Sequence, residues 1–131
     1  MKILLDTHII LWHSKKDPKL PNKIAQIINN QENEIFVSMA SFYEIAIKVK
    51  IGKLELHNSI HQFYQDTIKD LITILPISKR YLSTYHQIPL LEEHRDPFDR
   101  LIIATAFADK LSIITADNKF PLYSDFIDII W

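Results

Sequence analysis

The sequence predicts a single α/β domain built on a parallel sheet with helices on both faces. Three observations carry this. Short apolar runs recur along the chain, segments with helical periodicity alternate with them, and 131 residues suit one domain with a real core. Ile3-Leu4-Leu5 is too continuous for a strand with one wet face and suits a strand covered on both sides. Ile24, Ile27 and Ile28 then keep the spacing of one helix face. Glu34–Ser38 (EIFVS) is the second strand, and Phe42, Ile45, Ala46 and Val49 form the next helical stripe. A longer stripe of Ile60, Phe63, Tyr64, Thr67, Ile68 and Leu71 leads into a third strand over Ile72–Ile77 (ITILPI). Pro97 to Lys110 is the strongest helix: Asp96 caps it and Pro97 opens its first turn. It is apolar on more than one face, which predicts deep burial. Strands over Ser112–Thr115 (SIIT) and Phe126–Ile130 (FIDII) complete the set. Strand–helix alternation implies right-handed crossovers, and ligands of such open sheets bind beyond the carboxyl ends of the strands.

Composition removes several classes of function. Fifteen Lys plus Arg face sixteen Asp plus Glu, so a protein that coats DNA by charge alone is excluded. Without Cys there is no disulfide scaffold, thiol nucleophile or thiolate zinc site. Gly52 is the one glycine, whereas the phosphate loop and the dinucleotide fingerprint each need at least two. No apolar run approaches a membrane span. The start, MKILLDTHIILW, is interrupted by Asp6 and His8 and lacks a cleavage site, so the chain reads as cytoplasmic and unprocessed. No repeat, low-complexity tract or linker divides it, and residues 1–131 are one domain.

The acids show where chemistry belongs. Asp6 ends the first strand. Glu44 lies six residues past the second, in the first turn of the next helix. Asp99 is in the first turn of the helix entering the fourth strand, and Asp117 follows that strand in Thr115-Ala116-Asp117. Each has an ordinary alternative. Ser41-Phe42-Tyr43-Glu44 matches a capping box and Asp96-Pro97-Phe98-Asp99 a looser one. Acids favour first helical turns, and Asp117-Asn118 suits a turn. Together they are harder to dismiss, because carboxylates in one pocket repel by about 4 kcal/mol per pair at 4 Å and a dielectric near 20. No Lys or Arg is adjacent in sequence to Asp6, Glu44 or Asp117. A divalent cation is the usual remedy, and an all-carboxylate set suits Mg²⁺ or Mn²⁺. Such sites commonly act on phosphate esters.

At these residues the chain resembles PIN-domain proteins, and closely the VapC-type ribonuclease toxins of prokaryotic toxin–antitoxin pairs. The matching segments are LLDTHIILW (4–12), VSMASFYEIAIKVKIGKL (37–54), HRDPFDRLIIATA (94–106) and IITAD (113–117). Their order and spacing cover essentially the whole chain. The resemblance implies a three-layer α/β/α sandwich with a central parallel sheet of four or five strands. It implies a metal-dependent endoribonuclease in which Asp6, Glu44, Asp99 and Asp117 are catalytic and bind Mg²⁺ or Mn²⁺. Thr7 and Thr115 fall where a hydroxyl holds a water or a carboxylate, and Asp96 serves as helix cap behind the site. The implied reaction is attack on an RNA phosphodiester by a metal-activated water, leaving a 5′-phosphate and a 3′-hydroxyl. A homodimer and a cognate antitoxin that blocks the acidic pocket are also implied.

Near-neutrality sits oddly with an RNA substrate, yet setting the four site acids aside leaves twelve acids against fifteen bases. Lys48, Lys50 and Lys53 follow Glu44, Arg95 and Arg100 flank the third acid motif, and Lys15, Lys16, Lys19 and Lys23 form another cluster. Of these, Arg95, Arg100 and Lys48 are the candidates for binding substrate phosphates, with Arg100 alternatively pairing with a site acid. His57 and His61 have zinc-like spacing but no third soft ligand. His8 and His94 neighbour the acids in sequence. Trp12, Phe42, Tyr43 and Tyr123 are either core or a partner groove. The competing function is a catalytically silent PIN-like module that binds RNA or protein. A haloacid-dehalogenase-like phosphatase needs Asp-x-Asp where Asp6-Thr7-His8 stands, and a receiver domain needs an acid pair there.

Overall fold

The side chains of the first strand set the layering. Ile3 and Leu5 enter one buried cluster and Leu4 the other, so both faces of the sheet are covered. The computed structural model describes residues 1–131. Its strands are β1 (Lys2–Leu5), β2 (Glu34–Ser38), β3 (Thr73–Leu75), β4 (Ser112–Ile114) and β5 (Ile129–Ile130), all parallel, in the order β3-β2-β1-β4-β5. The helices are α1 (Thr7–Lys15), α2 (Asn22–Asn29), α3 (Met39–Lys50), α4 (Ile60–Lys69), α5 (Lys79–Gln87) and α6 (Pro97–Asp109). Ile9 and Ile10 of α1, Ile24 and Ile28 of α2, Phe42 and Ile45 of α3 and Phe63 of α4 pack on one face. Ile102, Ile103 and Ala106 of α6, with Ile88, Phe120 and Tyr123, cover the other. This is the three-layer α/β/α sandwich, with five strands. Each fully buried Ile contributes roughly 1.5–3 kcal/mol, and the apolar runs supply many of them.

Several elements differ from expectation. α3 begins at Met39 directly after β2, and its cap is Ser38, which accepts from Ala40 N. Ser41 is therefore not the cap, and Glu44 falls in the second turn. α1 and α5 carry no recognised stripe. α1 buries consecutive residues Ile9, Ile10 and Leu11, a pattern without amphipathic period, and the polar α5 buries only Tyr81 and Thr84. β3 stops before Pro76, which has no N–H for a ladder. β5 is shorter than Phe126–Ile130, because Phe126 and Ile127 turn back to bond Tyr123 O. Gly52 ends the α3 segment at φ 78°, the one place where the chain spends a glycine on left-handed backbone.

Candidate active site

Strand order reverses between β1 and β4, because the chain steps from β1 to β2 to β3 and then returns to the far side of β1. At that switch point the carboxyl ends of two neighbouring strands open a crevice. Asp6 stands at the end of β1, where its N–H donates to Ile114 O at 3.0 Å. It is 2% exposed. Its side chain caps α1 by accepting from Thr7 N at 2.7 Å, and its other oxygen accepts from the Thr115 hydroxyl at 2.8 Å. Thr115 lies just past β4, so one hydrogen bond ties the two strand ends at the switch point.

Glu44 reaches the crevice from the second turn of α3 and is buried. Its Oε1 accepts from the Thr7 hydroxyl at 2.8 Å, and that hydroxyl lies 2.9 Å from Ser41 Oγ. Its Oε2 pairs with Lys48 Nζ at 2.9 Å, one helical turn on. The nearest base is therefore absent from the sequence neighbours of Glu44 but present on its helix face, an i,i+4 relation. Asp99 projects from the first turn of α6, which Asp96 caps by accepting from Phe98 N and Asp99 N. Asp117 is half-buried; its N–H donates to Thr115 Oγ1 at 3.0 Å and its Oδ1 accepts from Lys119 N.

These carboxylates act on one another electrostatically. Burial pushes the Asp99 carboxyl up to about 8, with further upward pressure from Asp6, Asp96, Glu44 and Asp117 in that order. Burial also raises Asp6, against the lowering hydrogen bonds of Thr115 and Thr7. Asp99 and Asp117 bring ligand oxygens close together, while the Asp6 and Glu44 oxygens are held by Thr7, Thr115 and Lys48. The donor set is hard oxygen, which fits Mg²⁺ or Mn²⁺. Ligand atoms of His94, Asp99 and Asp117 lie within 4.8 Å of one another.

The remaining candidates separate cleanly. Arg100 is buried: its NH2 group donates to Ile88 O, and its guanidinium sits 5.2 Å over the Tyr85 ring. It neither reaches solvent nor pairs with a site acid, so it is not placed to bind a substrate phosphate. Arg95 is exposed beside the site acids in sequence, and Lys48 is partly exposed. Phe42 and Tyr123 are core, Trp12 packs on Trp131, and Tyr43 alone of the four aromatics is strongly exposed, edge-on to Phe98. His57, His61 and His8 are exposed. His94 is the residue whose role sequence did not define. It is buried, with Nε2 3.0 Å from Asp99 Oδ2 and Nδ1 3.1 Å from Tyr123 Oη. Its place as the first residue of the HRDPFDR motif was the available signal.

Comparison with known proteins places this fold. A family model described as the PIN domain matches residues 3–125. Ribonuclease VapC22 of Mycobacterium tuberculosis is 26% identical over 117 residues, covering 89% of this chain and 88% of that protein. The structure of VapBC2 from Rickettsia felis, bound to a DNA fragment from its promoter, superposes with TM-score 0.68 at 18% identity, covering 99% of this chain and 98% of that one. VapBC-1 from nontypeable Haemophilus influenzae gives 0.66 at 18% identity, covering 99% and 97%. At such identities the structural likeness speaks for the fold.

Proposed function

The chain belongs to the PIN-domain family, and on that premise we propose that it is a divalent-metal-dependent endoribonuclease and the toxin half of a toxin–antitoxin pair. The observation that carries the reading is the placement of Asp6 and Asp117 just beyond β1 and β4, with ligand atoms of Asp99 and Asp117 within 4.8 Å of each other and Glu44 tied to the end of β1 through the Thr7 hydroxyl. A family relative named as a ribonuclease, aligned over 89% of the chain, supports the same reaction class. A bound Mg²⁺ or Mn²⁺ would supply Lewis-acid activation of water and offset charge on the scissile phosphate.

The chain's own residues have distinct tasks. Asp6, Glu44, Asp99 and Asp117 would hold the ion. Thr115 and Thr7 keep the Asp6 and Glu44 carboxylates oriented by donated hydrogen bonds. Asp96 holds the start of α6 and thereby the Asp99 backbone. Lys48, paired with Glu44 Oε2, and the exposed Arg95 would face a substrate phosphate. A partner has an apolar seat between α3 and α4, lined by Met39, Phe42, Tyr43, Ala46, Ile60 and Tyr64; an antitoxin segment is the proposed occupant, and self-association into a homodimer is proposed alongside it. No helix is long and apolar enough to cross a membrane.

The test is incubation of the full chain with end-labelled total RNA in Mg²⁺, in Mn²⁺ and in excess chelator. Discrete cuts that need metal and carry 5′-phosphate ends are expected. A chain that binds metal yet leaves all RNA intact overturns the nuclease reading in favour of a silent binding module.

A further inference from the structure

Asp99 projects from the first turn of α6, and just one protein group holds it by a side-chain hydrogen bond, His94. His94 comes from the loop between α5 and α6, not from a strand end or a helix. Such a loop residue needs its own support. Its ring lies 5.5 Å from the Phe120 ring and 5.4 Å from the Tyr123 ring, the latter edge-on, and it is 2% exposed. Tyr123 is itself fully buried and presents its hydroxyl to Nδ1 at 3.1 Å. The loop is also strapped at its base, where Arg100, next to Asp99 on α6, donates to Ile88 O.

From this chain of contacts we propose that His94 is the positioning residue for Asp99, with Tyr123 fixing the ring: a Tyr123–His94–Asp99 prop that sets the carboxylate for metal binding. The inference rests on the metal-site reading given above. An Asp99 ionised to bind a metal ion only accepts, so a neutral His94 then carries its proton on Nε2 and accepts on Nδ1 from the Tyr123 hydroxyl. A ligating carboxylate held this way by a group behind it is worth roughly 10–100-fold in metal affinity. The competing geometry is direct ligation by the imidazole, since His94, Asp99 and Asp117 bring ligand atoms within 4.8 Å of one another. Direct ligation requires Nε2 to give up its bond to Asp99.

The test measures Mn²⁺ affinity of the full chain, with thermal unfolding as the control for folding. His94→Ala should weaken Mn²⁺ binding about tenfold or more. His94→Gln, whose amide N–H can replace Nε2–H, should stay within about threefold of wild type, and Tyr123→Phe should fall between the two. In the Mg²⁺-loaded wild type, imidazole nitrogen NMR should report the Nε2–H tautomer at His94. Unchanged affinity in folded His94→Ala overturns the prop and leaves the metal site standing. His94→Gln as weak as His94→Ala overturns it in favour of direct ligation. Should His94→Ala not fold, Tyr123→Phe and the wild-type tautomer decide: undiminished Mn²⁺ binding by Tyr123→Phe, or an Nδ1–H tautomer, contradicts the proposal. A wild type that binds no Mn²⁺ fails the metal reading and the prop together.

Discussion

Replacing Asp99 by Asn should make the metal-free protein more stable near neutral pH while destroying its metal site. Burial and the neighbouring acids hold the Asp99 carboxyl at about 8, against an ordinary value of 3.8. Between these values the folded chain keeps a proton that the unfolded chain has lost. A group raised in this way contributes stability in full below its unfolded value, and that stability is lost as pH rises through the folded one. The slope is about 1.36 kcal/mol per pH unit, so two units, from pH 5 to pH 7, amount to about 2.7 kcal/mol. Solvent reaches the 15% exposed side chain, which reduces this to about 2 kcal/mol. His94 and His13, lowered by burial, give the opposite slope near pH 6.5. His13 does so in both proteins, whereas His94 bonds Asp99 and changes with it, so the difference between wild type and variant reads the Asp99–His94 pair. The assay is thermal or urea unfolding in chelator at pH 5, 6, 7 and 8. The wild type should lose about 2 kcal/mol relative to Asp99→Asn between pH 5 and pH 7, roughly 7 °C in Tm for a chain of this size. Parallel pH profiles for the two proteins would refute the repulsive cluster.

The same electrostatics make metal and proton compete. Mg²⁺ should therefore raise Tm more at pH 8 than at pH 6, measured at fixed free metal; an equal rise would mean that no proton leaves on binding. Thr115→Val removes the hydroxyl that donates to Asp6 Oδ2, and isothermal titration should show Mn²⁺ affinity reduced about tenfold with the fold retained. Lys48→Gln frees Glu44 Oε2 from its cation; metal binding should tighten severalfold while KM for RNA rises, as read by titration and steady-state cleavage. Leu71 is 80% exposed and held at φ 63°, so Leu71→Gly should stabilise by about 1 kcal/mol in urea unfolding.

The sheet was legible because its strands are buried on both faces, so Ile3-Leu4-Leu5 and Ser112–Thr115 read as continuous apolar runs. The amphipathic helices were legible by period, whereas α1 was not, since Asp6 turns straight into a helix that is buried on several sides. The acids were legible through the rule that strand ends carry the chemistry. What placed Thr7 beneath Glu44 and Arg100 inside the fold was tertiary packing, which no spacing along the chain encodes, whereas Lys48 against Glu44 is an i,i+4 pair that helical spacing does encode. His94 illustrates the limit best. Its partner Asp99 is five positions away, but its other partner, Tyr123, lies 29 positions on, in a turn that exists only because Phe126 and Ile127 fold back on it.

The central claim is that four acids from four separate segments form one metal site. Mn²⁺ soaked into crystals of the full chain, located by its anomalous scattering, tests it most directly. The account predicts a peak in the β1/β4 crevice bound by carboxylate oxygens of Asp6, Glu44, Asp99 and Asp117, lost in Asp99→Asn. No peak there at saturating Mn²⁺, or one that survives Asp99→Asn unchanged, would contradict it.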